Sequence, residues 1–393
     1  MNRVLPYGRH YLDDDDINAV TDVLRHGWLT QGPKIAELES TIAQFVGAKY
    51  AVAVSSGTAA LHIACIAGGV GQGDKILTSP NTFVASANCA LYVGAIPEFA
   101  DIDPYTLNMA PASLEQRCKE LENIKAVIPV HFAGLPCEME KIQKVARAAN
   151  AIVIEDAAHA LGATYNSGER VGCCAQSEMT VFSFHPVKMI AMGEGGMITT
   201  NDKTIYRDLL RLRSHGINKE DDPYMQPAEA YTDNVLNPWY YEMQQIGFNY
   251  RITDIQCALG LSQHSKLPKF LARRRELALR YDRILESIPY LTPTQTTGRA
   301  SSSNHLYVAH IDFDAAGTAR GAFMNSLRSR NIIAQVHYIP VHTHPYYRSH
   351  GHSADSFPNA EHHYRHALSL PLYYGLSDDD QDYVATTLKE LLS

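Results

Sequence analysis

The sequence predicts an α/β protein: a large domain built on a mostly parallel seven-stranded sheet, then a smaller C-terminal α/β domain. Three observations predict it. The chain has 393 residues, more than one typical domain. Apolar residues make up 45% and charged residues 19%, the balance of a chain that buries a core. From Tyr50 to about Asp202, short β-branched runs alternate with helical patterns, the signature of strands covered by helices on both faces.

The elements follow in order. AVAVSS (51–56) reads as a buried strand, followed by the helix SGTAALHIACIAGG. Next come strand KILTSP (75–80), helix FVASANCALYVG (83–94), and strands IPEFADI (96–102) and AVIPVHF (126–132). Helix EMEKIQKVARAAN (138–150) leads to strands AIVIEDA (151–157), EMTVFSF (178–184) and GGMITTN (195–201). The stretch Asn218–Tyr241, rich in Pro, Tyr and Asp, reads as an irregular insertion or interface loop. A long charged helix is expected at about Leu267–Ile288, starting near Pro268. Thr292–Ser303 reads as a polar linker. HLYVAHIDF, a helix near Ala319–Arg330 and IIAQVHYI make up the second domain. The boundary is placed near residue 260, giving domains of 1–260 and 261–393.

Composition excludes several classes. Lys and Arg total 34 against 42 Asp and Glu, a net charge of −8, so a general grip on nucleic acid or an anionic membrane is not expected. The charge-free stretches Tyr50–Gly73 and Ile76–Pro97 are broken by Ser, Gly, Asn, Pro or His and read as buried helix and strand, with no membrane span. The first residues show no apolar signal core. Seven scattered cysteines without a C-x-x-C pair fit a reduced, cytoplasmic setting. Histidine is abundant, 18 in all, eight of them between His337 and His366. His362 and His366 share one helical face, but no third ligand or acidic base accompanies them, so no metal site is assigned.

Three segments carry chemistry. Ser55-Ser56-Gly57-Thr58-Ala59 joins a strand to a helix N-terminus, where backbone N–H groups and a hydroxyl can bind phosphate, although no Walker pattern is present. AIVIEDAAHA delivers Glu155 and Asp156 at the carboxyl end of an apolar strand, with His159 three residues on. A carboxylate there suits the ring nitrogen of a pyridine cofactor, and equally a helix N-cap. In VFSFHPVKMIAMGEGG (181–196), Lys188 stands alone among Val, Met and Ile before a Gly-rich turn. Apolar surroundings depress a lysine pKa and make it nucleophilic; a plain surface lysine is the competing reading.

Together these segments resemble the pyridoxal-phosphate-dependent aminotransferases of fold type I, and among them the DegT/DnrJ/EryC1/StrS family of nucleotide-sugar aminotransferases. The resemblance runs nearly end to end, through GWLTQGP (27–33), SSGTAAL (55–61), EDAAHALGATY (155–165), SFHPVKMIAMGEGG (183–196), GFNYRITDIQCALG (247–260) and LSLPLYYGLSDDD (368–380). It implies pyridoxal 5'-phosphate bonded to Lys188, with Asp156 at the ring nitrogen and His159 beside the cofactor. It further implies Phe83 stacked on the ring, and Ser56, Gly57, Thr58, Ala59 and Ser183 around the phosphate. Asn249 matches a residue that reaches the cofactor of a neighbouring subunit, which implies a homodimer with shared active sites. His185-Pro186-Val187-Lys188 and PLYYGLSDDDQ look most like the branch serving pseudaminic acid synthesis, which implies L-glutamate as donor and a UDP-linked 4-keto-6-deoxy sugar as acceptor. Tyr7, His185, Arg251, His337, Tyr338 and His342 are the expected sugar-nucleotide contacts. Met189 and Ala191-Met192 depart from that branch's pattern, which leaves the sugar open.

Overall fold

The computed structural model describes residues 4–219, 223–353 and 355–393. The seven expected strands are present: β1 (Tyr50–Val54), β2 (Lys75–Thr78), β3 (Ile96–Phe99), β4 (Ile124–Ile128), β5 (Ile152–Asp156), β6 (Met179–Ser183) and β7 (Gly196–Thr200). They form one sheet in the order β1-β7-β6-β5-β4-β2-β3. Strand β7 runs antiparallel to both β1 and β6. The remaining pairings are parallel. One buried cluster fills each face of this sheet, which is why its strands read as continuous apolar runs.

Helices absent from the sequence reading pack around it: Asp14–His26, Pro33–Val46, Pro111–Glu120 and Lys203–Arg213. The helix at Pro33–Val46 has no side-chain cap of its own. Asp254 supplies one from afar, its carboxylate accepting from Gly32 N at 2.8 Å and Lys34 N at 3.0 Å. A carboxylate there satisfies free N–H groups and faces the positive end of the helix dipole.

The long helix differs from expectation. It spans Asp254–Leu285, with Pro268 inside it. Its true start is a capping box in which Thr253 and Gln256 satisfy each other's backbone. Cys257 and Leu267 join the sheet core, whereas Leu277, Tyr281 and Leu285 join a second core. The helix thus runs through position 260 and rods the two cores together. The second core covers an antiparallel sheet of β8 (Leu291–Pro293), β9 (Tyr307–Ile311) and β10 (Ala367–Leu370). Leu5 also packs there, and Leu5–Pro6 pairs in parallel with Ile332–Ile333, so residues 1–260 are not a closed unit. In the insertion, Tyr231–Thr232 pairs with Val235–Leu236, and Glu242–Met243 with Ile217–Asn218.

Candidate active site

The site forms where β1, β5 and β6 end. Two of these ends meet at Gly196, the first residue of β7, which pairs with Val54 on one side and Ser183 on the other. A Cβ on Gly196 would lie 2.4 Å from Ser56 O, so only glycine lets the turn after β1 approach this closely. The helix Gly57–Ala67 starts in that turn. Its N-cap is Ser56, whose Oγ accepts from Ala59 N at 3.1 Å. Gly57 faces Ser183: a Cβ there would stand 3.0 Å from Ser183 Cβ. The result is a concave cup of helix N-terminus and hydroxyl, suited to an anion.

A cavity of about 440 Å³ opens over this cup. Ser56, Gly57, Thr58 and Ser183 line one end, and Asp156, His159, Lys188 and Phe83 the middle. Tyr7, His185, His337 and Tyr338 close the other side. These are twelve of the expected site residues, brought from six separate stretches of chain.

Strand alternation sorts the two carboxylates of β5. Asp156 faces the cavity and is 6% exposed. Its Oδ2 accepts from Ser86 Oγ at 2.6 Å, and its Oδ1 from Ala158 N at 3.1 Å. Glu155 points to the other face and is fully buried. It accepts from Ser177 Oγ at 2.5 Å, Tyr165 Oη at 2.6 Å, His131 Nε2 at 2.8 Å and Thr180 Oγ1 at 3.0 Å. Burial alone would raise the Glu155 carboxyl; His131, Ser177 and Tyr165 outweigh it and hold it below the usual range.

Lys188 is half-buried. Burial lowers its ammonium to about 8, against the opposing pull of Asp156. His159 is held well below its ordinary pKa, by burial first and then by Lys188 and His337, so it is neutral at physiological pH. Its Nε2 lies 3.1 Å from Tyr338 Oη, and its ring packs 4.5 Å from that of His305. Burial, followed by Lys188 and His363, lowers His337 to about 3; its Nδ1 lies 2.8 Å from Ser369 Oγ.

Four expected residues lie elsewhere. Ala59 is buried behind the cup with its N–H already used by Ser56. His342 has no exposed surface: its Nε2 meets Glu361 Oε1 at 3.0 Å, and its ring packs 4.8 Å from Phe357 in the core beneath the cavity. Asn249 is exposed and bridges Ser214 outside the cavity. Arg251 lines a second cavity of about 290 Å³ with Gln31, Glu39 and Arg213. Met189 and Met192 are packed in the sheet core and Ala191 is buried, so the departure at these positions concerns packing and not the cavity wall. Conversely, Thr82 and Glu194 line the cavity without having been singled out. Glu194 lies in the Gly-rich turn; Thr82 precedes the helix Ala85–Tyr92 and carries no local signal.

The surplus histidines divide. His363 is buried, its Nδ1 2.8 Å from His310 Nε2 and its Nε2 2.9 Å from His337 O. His362 is exposed and His366 half-buried. Among the described residues no group of three or more His, Cys, Asp or Glu is placed to hold a metal ion, and no helix is long and apolar enough to cross a membrane.

A half-buried lysine of lowered basicity, a cavity-facing carboxylate and a helix N-terminal cup, at the strand ends of a mostly parallel sheet, define a pyridoxal-phosphate-dependent enzyme of fold type I. The residues present fit that cofactor. The ring of Phe83 is 59% exposed on the cavity wall, and His159 Nδ1 is buried without a protein partner. The chain belongs to the DegT/DnrJ/EryC1/StrS aminotransferase family, whose model matches residues 10–389. It is 41% identical over 393 residues to the spore coat polysaccharide biosynthesis protein SpsC of Bacillus subtilis, covering 100% of this chain and 98% of that one. Helicobacter pylori PseC, an aminotransferase involved in the biosynthesis of pseudoaminic acid, superposes with a TM-score of 0.89 at 32% identity, over 99% of each chain. Spr1654 from Streptococcus pneumoniae matches in its PLP form with a TM-score of 0.86 at 28% identity, over 99% of each chain. The protein is a pyridoxal-phosphate-dependent sugar aminotransferase.

Proposed function

We propose that this enzyme transfers the amino group of L-glutamate to C4 of a UDP-linked 4-keto-6-deoxy sugar. The acceptor we favour is UDP-2-acetamido-2,6-dideoxy-β-L-arabino-hex-4-ulose, which gives the UDP-linked 4-amino-4,6-dideoxy-N-acetyl-β-L-altrosamine of pseudaminic acid synthesis. The observation that carries this reading is the pairing of Lys188 with Asp156 across a cavity whose far wall is Tyr7, His185, His337 and Tyr338. The end-to-end likeness to PseC supports the choice of sugar.

Pyridoxal phosphate, when bound, supplies an electron sink for negative charge developing at the substrate carbon. Lys188 would hold it covalently through Nζ. The same amine, once free, would take a proton from Cα of glutamate. In the second half of the cycle the resulting ammonium would deliver a proton toward C4 of the sugar. Burial, which lowers its pKa to about 8, favours the neutral amine that the first task needs. Asp156 keeps the ring nitrogen protonated. Phe83 and His159, on the cavity wall, would contact the ring, and neutral His159 would add no charge to compete with Asp156. Ser183 and the N–H groups at Gly57 and Thr58 hold the phosphate.

Asn249 and Arg251 serve a second copy of this chain in this reading, since they lie outside their own cavity. Trp28, Leu29, Trp239, Met243 and Ile246 are 54–78% exposed, an apolar surface of the kind that subunit association covers. Mixing a Lys188→Ala protein with an Asn249→Ala protein should then restore part of the activity that each lacks.

Glutamate and a panel of UDP- and dTDP-linked 4-keto sugars test the substrate. The largest kcat/KM is expected for the UDP-linked L-arabino-hex-4-ulose, with the 4-amino product identified by NMR. A clear preference for a dTDP-linked or D-configured sugar would overturn the proposal while leaving the aminotransferase chemistry intact.

A further inference from the structure

Ser86, in the first turn of the helix Ala85–Tyr92, has no exposed surface. Its Oγ lies 2.6 Å from Asp156 Oδ2, 2.7 Å from Thr82 Oγ1 and 3.3 Å from Phe83 O. Counting protons fixes the direction of these bonds. An ionised carboxylate only accepts, so the single Ser86 proton lies in the short bond to Asp156. Thr82 must then donate to Ser86. The chain runs one way, from Thr82 to Ser86 to Asp156. Thr82 lines the cavity and Ser86 does not. With Ala158 N on Oδ1, each carboxylate oxygen has one fixed donor, which sets the side-chain torsions and leaves further lone pairs for a cavity occupant.

We infer that Ser86 is a positioning residue for amino transfer, holding the Asp156 carboxylate correctly turned, with Thr82 orienting its proton. The inference rests on the reading of Asp156 as the partner of the cofactor's ring nitrogen. Donor hydrogen bonds favour the charged form of a carboxylate, and aligned donors strengthen one another in a dry site.

The test compares Ser86→Ala, Ser86→Thr, Thr82→Val and Asp156→Asn with the parent protein. Three quantities are measured: pyridoxal phosphate affinity of the cofactor-stripped protein by absorbance titration, Tm without cofactor, and kcat and KM with glutamate. Ser86→Ala is expected to weaken cofactor affinity roughly tenfold and to lower kcat more than KM, since one charge-assisted bond is lost. Thr82→Val should show the same pattern at roughly threefold, and Ser86→Thr should restore both. Should Ser86→Ala fail to fold, Thr82→Val carries the test. A Ser86→Ala protein with reduced Tm but parental affinity and kcat, beside an impaired Asp156→Asn protein, would make Ser86 a packing residue and overturn the inference. Parental affinity and kcat in Asp156→Asn would instead overturn the reading of Asp156, and this inference with it.

Discussion

Glu155 and Asp156 are neighbours in sequence, both carboxylates, both at the end of β5, and they live in opposite worlds. Asp156 faces a cavity with Lys188 across it and is held by two donors. Glu155 faces away, fully buried, with four donors and no cavity. The difference comes from the two-residue period of a strand. Chemistry at this strand end depends on one side chain pointing out and the next pointing in. Glu155 clamps the strand to the segments carrying His131, Tyr165 and Ser177, and Asp156 works from the stiffened end.

Several variants would break or sharpen that contrast. Lys188→Ala removes the proposed base and covalent anchor, so turnover should fall on the order of 10⁴-fold or more in a steady-state assay. Asp156→Ala should leave Tm near the parent but slow turnover on the order of 100-fold, because charge on the ring nitrogen is no longer stabilised. Glu155→Ala should do the reverse. Losing a buried carboxylate that four donors share costs about 3 kcal/mol of stability, read by denaturant unfolding, with kcat per folded molecule close to the parent. Next in size is a pH effect. Lys188 titrates at about 8, below its ordinary value, so its neutral fraction rises with pH. Reaction of cofactor-free protein with a carbonyl reagent should accelerate through that region and level off above it. His337, lowered to about 3, stays neutral and should leave no step between pH 5 and 8. The smallest effect is expected at His342. His342→Gln should change KM for the sugar nucleotide less than twofold, whereas Tyr338→Phe, at the cavity wall, should change it several-fold.

Much of this was legible in the sequence, for reasons that end where local patterns end. Doubly covered strands are apolar on both faces, so the seven runs stood out. Their order did not: β7 inserts between β1 and β6 through pairings of distant segments. The long helix starts earlier than expected because Pro268 reads as a first-turn proline, whereas the Thr253–Gln256 capping box, whose Thr253 lies fifteen residues before it, sets the start. Twelve cavity residues were readable from family motifs, since motifs cluster at strand ends. His342 was not, because its burial depends on Glu361 in a different helix. Ser86 was not either. Its bond to Asp156 exists only once the helix Ala85–Tyr92 brings the two side chains together in the fold.

The central claim is that Asp156 does chemistry and Glu155 does architecture, and single-turnover release of 2-oxoglutarate from L-glutamate tests it most directly. Proteins carrying Asp156→Asn or Glu155→Gln are loaded with pyridoxal phosphate and compared at equal folded concentration. The account predicts a fall on the order of 100-fold for Asp156→Asn and a rate within about threefold of the parent for Glu155→Gln, whose isosteric amide keeps the clamp's shape. Equal rates in the two variants, or the larger loss in Glu155→Gln, would contradict it.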